Sequence, residues 1–339
     1  MSKRLLVALL LFVATGPASA SLQARLDALV ARHDLDGAAL VVVRDGVELA
    51  SVHSGEFDRR TVVPVASASK WLNTLVLARL VEQGRLRWQD TVGHWLPDAP
   101  QATRGITLAQ LASHTSGIDP AAGGNCSLRA AQVLRECVQR ILAQPLKARP
   151  GTLFDYGGAS MQVAALIAER AGGSDLASLF AREVAVPLGL RDTTFASLWL
   201  WQPARISNPS FGAGLRSNAH DLAKVMAMLS RGGIAADGRR YLKPATLDAL
   251  ALDQTRGTTP GRSPGAGYSQ GYGLGVWLHA VDGGGHGRRI SSPGAFGTTP
   301  WLDRDTGLAA VLVTRGKFAE LKSDIVSLQL AVEKTYAAQ

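Results

Sequence analysis

Strand-like segments gather at the two ends of this 339-residue chain, and that placement limits its possible folds more than any other feature. Near the start, Leu22–His33 has an amphipathic helix pattern and Ala38–Arg44 is a β-rich apolar run. Asp45-Gly46 makes a turn, and Val47–His53 reads as the returning strand. Near the end, Tyr272–His279, Phe296–Leu302 and Leu308–Val313 are again β-like. The last two are joined by an Asp303–Gly307 turn, and Ala319–Tyr336 closes the chain as a helix. Between them the pattern is mainly helical, with helices expected at Leu72–Glu82, Ile106–Ala112, Ala130–Leu142, Ser160–Ala171, Leu176–Val184 and Asp221–Leu229. Thr255–Gly271 is a Gly- and Pro-rich loop. A single sheet assembled from both termini, with a helical middle inserted, satisfies this order and makes the class α+β. The sheet would come from about 21–64 and 266–339 and the helical part from about 65–265, leaving a cleft between them as the natural site.

Residues 1–20 do not belong to that fold. Lys3 and Arg4 precede an apolar run, Leu5–Ala14, and Ala18-Ser19-Ala20 forms an A-x-A cleavage site, so a secretory signal peptide is expected, with residues 21–339 as the mature domain. The apolar run is too short to span a membrane, no lipid-anchoring Cys follows it, and no stable membrane insertion is expected. Export implies a periplasmic or secreted protein. Hydrophobic residues make up 46% of the chain, enough for a packed globule. Losing Lys3 and Arg4 with the leader would lower the net charge from +9 to +7. The remaining Lys and Arg are scattered without a basic tract or interleaved aromatics, which argues against nucleic acid as a partner. No CxxC, HExxH or clustered His/Asp pattern points to a metal, and no cofactor is expected. Cys126 and Cys137 would lie about 16 Å apart on one helix, too far to bond. A disulfide therefore requires Gly123-Gly124-Asn125 to fold back on the helix carrying Cys137, and two separate thiols remain the alternative.

Chemistry is concentrated in Val65-Ala66-Ser67-Ala68-Ser69-Lys70, the only S-x-x-K in the chain. Pro64 suits a chain entering the helix that follows, so Ser67 is expected at its N-terminus with Lys70 one turn on, on the same face. There the amine can hydrogen-bond the hydroxyl and accept its proton, and free N–H groups at the helix start can stabilise an oxyanion. Tyr156 lies in Pro150–Gly158, a loop constrained by Pro-Gly before and Gly-Gly after; it reads either as a packing residue or as a general base. Ser292-Pro293-Gly294-Ala295-Phe296-Gly297 looks like the opening of a strand, where small residues let a substrate approach the backbone. Gly261-Arg262-Ser263-Pro264-Gly265 fits G-x-S-x-G, but Pro264 has no N–H to offer an oxyanion and the flanks read as loop, so Ser263 is rejected as a nucleophile.

Taken together, the motifs resemble the serine β-lactamase-like and penicillin-binding-protein-like superfamily, on the branch holding class C β-lactamases, related esterases and D-stereospecific peptidases. The matches occur in order: Val65–Lys70, the L-x-x-H-T-S-G of Leu111–Gly117, Pro150–Tyr156, Pro187–Thr193, Tyr272–Gly275 and Pro293–Gly297. The resemblance implies a β-lactamase/transpeptidase-like fold with an antiparallel sheet flanked by helices. It also implies Ser67 as acylated nucleophile, Lys70 as its proton partner, Tyr156 as base and an oxyanion hole from the Ser67 and Ala295 backbone N–H groups. His114 is expected to be structural. Two departures stand out. The branch's Y-x-N reads Tyr156-Gly157-Gly158, and its K-T-G reads Ser292-Pro293-Gly294, so Gly158, Ser292, Pro293 and Gly294 would line the substrate with fewer recognition groups. The expected function is an exported serine hydrolase acting on a small-molecule ester or amide, esters foremost, with weak or absent β-lactamase activity. Arg288 and Arg289 could partly replace the missing cation. The alternatives are a D-amino-acid or cell-wall peptidase or a β-lactamase and, from another class, a non-catalytic binding protein on the same fold.

Overall fold

A computed structural model describes residues 17–197 and 206–336; the body of the expected leader, residues 1–16, lies outside them. Its main sheet has seven strands in the order Val47–Gly55, Gly37–Arg44, Leu308–Thr314, Thr299–Asp303, Gly287–Ser291, Trp277–Val281, Gly271–Tyr272. All neighbours are antiparallel, and strands from the two ends of the chain pair as its second and third members, where Ala38 faces Thr314 and Arg44 faces Leu308.

The central strands are apolar throughout because both of their faces are covered. Along Gly37–Arg44 the side chains alternate with the two-residue period of a strand. Ala38, Leu40 and Val42 join Leu22, Leu26, Ile325 and Leu328 of the two terminal helices, Pro17–Arg32 and Phe318–Tyr336. Ala39, Val41 and Val43 face the other way, into a larger cluster with the helices of the middle of the chain. At the heart of that cluster is the Ser69–Glu82 helix, where Ser69 to Ala78 and Leu80 are all buried. Apart from Ser69, Lys70, Asn73 and Thr74 these buried residues are apolar, and a helix buried so widely holds because other elements surround it. The Ala219–Ser230 helix joins the same cluster and packs directly on the sheet.

Four sequence expectations are corrected. Tyr272–His279 is a hairpin, with Tyr272 paired to Trp277 across a Gly273–Val276 turn. Gly275 has φ +79°, and a Cβ there would sit 2.2 Å from Thr74 Oγ1, so the turn exists because it docks on the Ser69–Glu82 helix. The Gly287–Ser291 strand was not expected. Consequently Ser292 follows a strand rather than opening one, and the next strand begins at Thr299 instead of Phe296. Between them Gly294 N–H donates to Thr298 O (2.7 Å) and Gly297 N–H to Gly294 O (2.9 Å), closing a turn. Finally, the helix expected from Ala130 starts at Leu134, since the Ala130 carbonyl is taken by Ser207 and Asn208 N–H groups. Before it, Asn125 turns the chain at φ +56° into a one-turn 3-10 helix, Cys126–Leu128. That fold-back brings Cys126 to Cys137, and the two form a disulfide with Cα atoms 5.6 Å apart. Among the described residues no helix is long and apolar enough to cross a membrane.

Candidate functional site

Ser67 occupies a single 3-10 turn, Ala66–Ala68, that leads straight into the Ser69–Glu82 helix. The residue before it, Ala66, is held at φ +46°, a left-handed conformation unfavourable for alanine that the surrounding packing must maintain. Ser67 is partly exposed while Lys70 is 2% exposed. Lys70 Nζ donates to Ser67 Oγ (3.1 Å) and to the Gly212 carbonyl (2.9 Å), and it lies 4.5 Å from the centre of the Tyr156 ring. No ion pair among the described residues involves Lys70. Its Nζ is surrounded instead by a hydroxyl, a carbonyl and an aromatic face.

Gly212 is a member of the site that sequence reading missed. It belongs to a segment held along the Ser69–Glu82 helix by Asn73 Nδ2 donating to Phe211 O (2.7 Å) and by Leu215 N–H donating to Ser69 Oγ (3.1 Å). Its signal was only a Gly-Ala-Gly run, which by itself reads as an ordinary turn.

Tyr156 is anchored on both sides of its backbone. Its N–H donates to Arg262 O (2.9 Å), and the Asp155 N–H donates to His114 O (2.9 Å). The Asp155 carboxylate accepts from Arg262 N–H (2.9 Å) and pairs with Lys147 (2.6 Å). The ring stacks on Trp277 (centroids 5.0 Å) and packs against His114 (4.6 Å) and Tyr272 (5.8 Å). Burial first, then the nearby Lys70 ammonium, holds His114 well below the ordinary imidazole range, so it is neutral. Burial first, then neighbouring Tyr156, pushes the Tyr272 phenol up, keeping it protonated. His114 accordingly serves this aromatic wall as packing. A two-residue strand, Thr259–Pro260, precedes the Ser263 segment and pairs with Leu153–Phe154, contrary to the loop expected there, but turn and not helix follows, so there is no strand-to-helix elbow.

The Ser292–Ala295 turn lies directly on the Ser67 turn. Ser292 Oγ donates to Ser67 O (3.3 Å), and a Cβ on Gly294 would sit 2.1 Å from Val65 O. Among the described residues neither the Ser67 nor the Ala295 amide donates a backbone hydrogen bond, so both N–H groups are available to an incoming oxygen. Arg288 and Arg289 are committed elsewhere: Arg288 pairs with Asp305, and Arg289 with Glu333 on the Phe318–Tyr336 helix (2.9 Å), on the sheet face away from Ser67. The expectation that they supply a cation to the site is therefore corrected. The remaining expected site residues, Gly158 and Pro293, are respectively the residue preceding the Ala159–Gly172 helix and a buried member of the Ser292–Ala295 turn. The assembled group offers a hydroxyl with an amine on it, a phenol beside the amine and two free N–H groups, which is the equipment of acyl transfer.

Similarity to known proteins agrees with this geometry. The family described as Beta-lactamase matches residues 22–332. The chain is 27% identical to Esterase EstB of Burkholderia gladioli, covering 93% of this chain and 96% of that one. It is 28% identical to Penicillin-binding protein 4 of Amycolatopsis lactamdurans, covering 88% and 85% respectively. A crystal structure of a protein described as a β-lactamase from Bacteroides dorei DSM 17855 superposes with a TM-score of 0.79 at 30% identity, over 91% of this chain and 98% of that one. The chain thus belongs to the Beta-lactamase family and is a serine hydrolase with that fold.

Proposed function

We propose that the protein is an exported hydrolase of small esters that works through a Ser67 acyl-enzyme. The observation that carries the reading is the 3.1 Å contact between Lys70 Nζ and Ser67 Oγ, in a turn capped by the Ser292–Ala295 backbone. Ser67 Oγ attacks the ester carbonyl while its proton passes to the Lys70–Tyr156 pair. The carbonyl oxygen becomes an oxyanion held by the Ser67 and Ala295 N–H groups. The C–O bond to the alcohol then breaks, and the alcohol leaves with the proton stored on the pair. Water then attacks the acyl carbon and gives a proton to the same pair. The bond to Ser67 Oγ breaks as that oxygen takes the proton back, and the acid departs.

Ester preference is supported by what the site lacks. Gly158 has no side chain to hold a substrate amide, Ser292 has no charge to hold a substrate carboxylate, and Arg288 and Arg289 have acidic partners of their own. A charge-assisted hydrogen bond is commonly worth about 1.5–3 kcal/mol, or roughly ten- to a hundredfold in rate when lost. An ester has a better leaving group than an amide and needs less of that help. Likeness to an esterase over 93% of the chain points the same way. Export is supported by the leader-like residues 1–20 and by the buried Cys126–Cys137 bond, which suits an oxidising compartment. Removal after Ala20 would take only the first turn of the Pro17–Arg32 helix and keep buried Leu22, Leu26 and Leu29.

A fluorophosphonate should label Ser67, and Ser67→Ala should abolish both labelling and turnover. Then kcat/KM for a short-chain aryl ester is compared with that for a chromogenic cephalosporin. The ester value should be the larger by far, and a cephalosporin value equal to or above it sinks the ester assignment.

A further inference from the structure

We propose that Ser127 is a specificity-determining residue of this site, its hydroxyl binding polar groups on the acyl part of the substrate. The proposal rests on the acyl-enzyme reading above and adds to it a residue from a distant part of the chain. Two glycines, Gly212 and Gly158, lie between the hydroxyl and the reacting groups. A Cβ placed on Gly212 would lie 3.4 Å from Lys70 Nζ and 3.6 Å from Gly158 Cα. A Cβ placed on Gly158 would lie 2.8 Å from Ser127 Oγ. Gly158 has φ −94°, which any residue can adopt, so its glycine is not demanded by the backbone. What excludes a side chain there is the Ser127 hydroxyl, which takes the same space.

Ser127 is 4% exposed; among the described residues its Oγ makes no hydrogen bond to protein, yet it is not one of the side-chain atoms sealed from solvent without a partner, so water reaches it. The turn that carries it is nevertheless firmly fixed. Cys126 is bonded to Cys137, and Asn208 Nδ2 donates to Cys126 O (2.8 Å) and Arg129 O (3.2 Å). Asn208 is itself held by Gln162 Nε2 (2.7 Å), one turn into the Ala159–Gly172 helix. A water-accessible hydroxyl without a protein partner, held on a fixed turn against Gly158, can exchange its water for a ligand group. A serine hydroxyl both donates and accepts, so it suits an acyl chain bearing an amide or hydroxyl close to the scissile carbonyl.

The test compares p-nitrophenyl N-acetylglycinate with p-nitrophenyl pentanoate, whose acyl chains have equal length and differ in the amide. The readout is the ratio of their kcat/KM values. Ser127→Ala should lower the ratio roughly three- to tenfold, the usual range for one neutral hydrogen bond. Gly158→Ala, which displaces the hydroxyl without touching its turn, should lower the ratio in the same direction. An unchanged ratio in both variants, whether the two rates fall together or not at all, overturns the proposal and assigns Ser127 to packing. Fluorophosphonate labelling of the wild type separates this failure from a deeper one. Labelling at Ser67 with an unchanged ratio removes Ser127 alone, whereas ester turnover without labelling at Ser67 removes the nucleophile and the site with it.

Discussion

Two glycines edge the site, and each is a glycine for a different reason. At Gly294 a Cβ would meet the Val65 carbonyl at 2.1 Å, so the obstacle is the backbone of the Ser67 turn itself. At Gly158 the obstacle is one rotatable hydroxyl, Ser127 Oγ, at 2.8 Å. Backbone cannot retreat without moving the nucleophile, whereas a side-chain oxygen can swing or be replaced. The edge at Gly294 is thus tied to the chemistry. The edge at Gly158 can change with the substrate while leaving the reacting atoms in place.

The largest effect should come from Gly294→Ala. Its methyl would force the Ser292–Ala295 turn off the Ser67 turn and carry the Ala295 N–H out of line. Losing one oxyanion donor typically costs 10²–10³-fold in kcat, so a fall on the order of that size is expected, for pentanoyl and N-acetylglycyl esters alike. Thermal stability should fall as well, since overpacking commonly costs about 1–3 kcal/mol. Gly158→Ala should cost the pentanoyl ester less than about tenfold. Equal losses in the two variants would break the distinction.

Next in size is Tyr156→Phe. It keeps the ring that stacks on Trp277 and packs against His114, and removes only the hydroxyl. Turnover should drop on the order of a hundredfold for both esters, with the melting temperature nearly unchanged. Lys70→Ala should lose at least as much, and should also destabilise, because it empties a buried space and leaves the Gly212 carbonyl without its donor. A Tyr156→Phe variant that retains most of its activity would return Tyr156 to a packing role.

How much of this was legible beforehand follows the range of the interactions involved. Ser67 and Lys70 are one helical turn apart, so spacing alone could bring them together. The central strands were legible because Ala38–Arg44 and Leu308–Val313 are unbroken apolar runs. Of the five residues in Gly287–Ser291 only Ile290 is a large apolar one, and the strand went unseen because its neighbours, not its own pattern, make it a strand. The Gly273–Val276 turn was hidden for a similar reason: it is set by contact with Thr74, about two hundred positions away in the chain. Ser127 was the least visible of all. Nothing near it in sequence suggests a site, and only the fold-back that closes the Cys126–Cys137 bond brings it to Gly158.

The smallest effect on turnover, and the finest test of the contrast, concerns that bond. Replacing both cysteines, Cys126→Ala/Cys137→Ala, leaves the Ser127 hydroxyl present but loosens its turn. The bond closes a loop with a sequence separation of 11. In the chain-entropy model such a loop contributes about 3 kcal/mol, so the melting temperature should drop clearly. Among the described residues no hydrogen bond or ion pair joins the Ser292–Ala295 edge to this turn, so pentanoyl turnover measured well below melting should stay within about twofold, as expected for sites that are not coupled. The N-acetylglycyl to pentanoyl ratio should fall, but less than in Ser127→Ala, because Asn208 still holds the Cys126 and Arg129 carbonyls. Mass spectrometry with and without reductant verifies the starting bond, and two alkylatable thiols in the freshly isolated protein would remove the premise. A ratio lowered as far as in Ser127→Ala would make the disulfide, rather than Asn208, the anchor of that edge. A large loss of pentanoyl turnover would show the two edges to be mechanically joined, and the contrast between the glycines would fail.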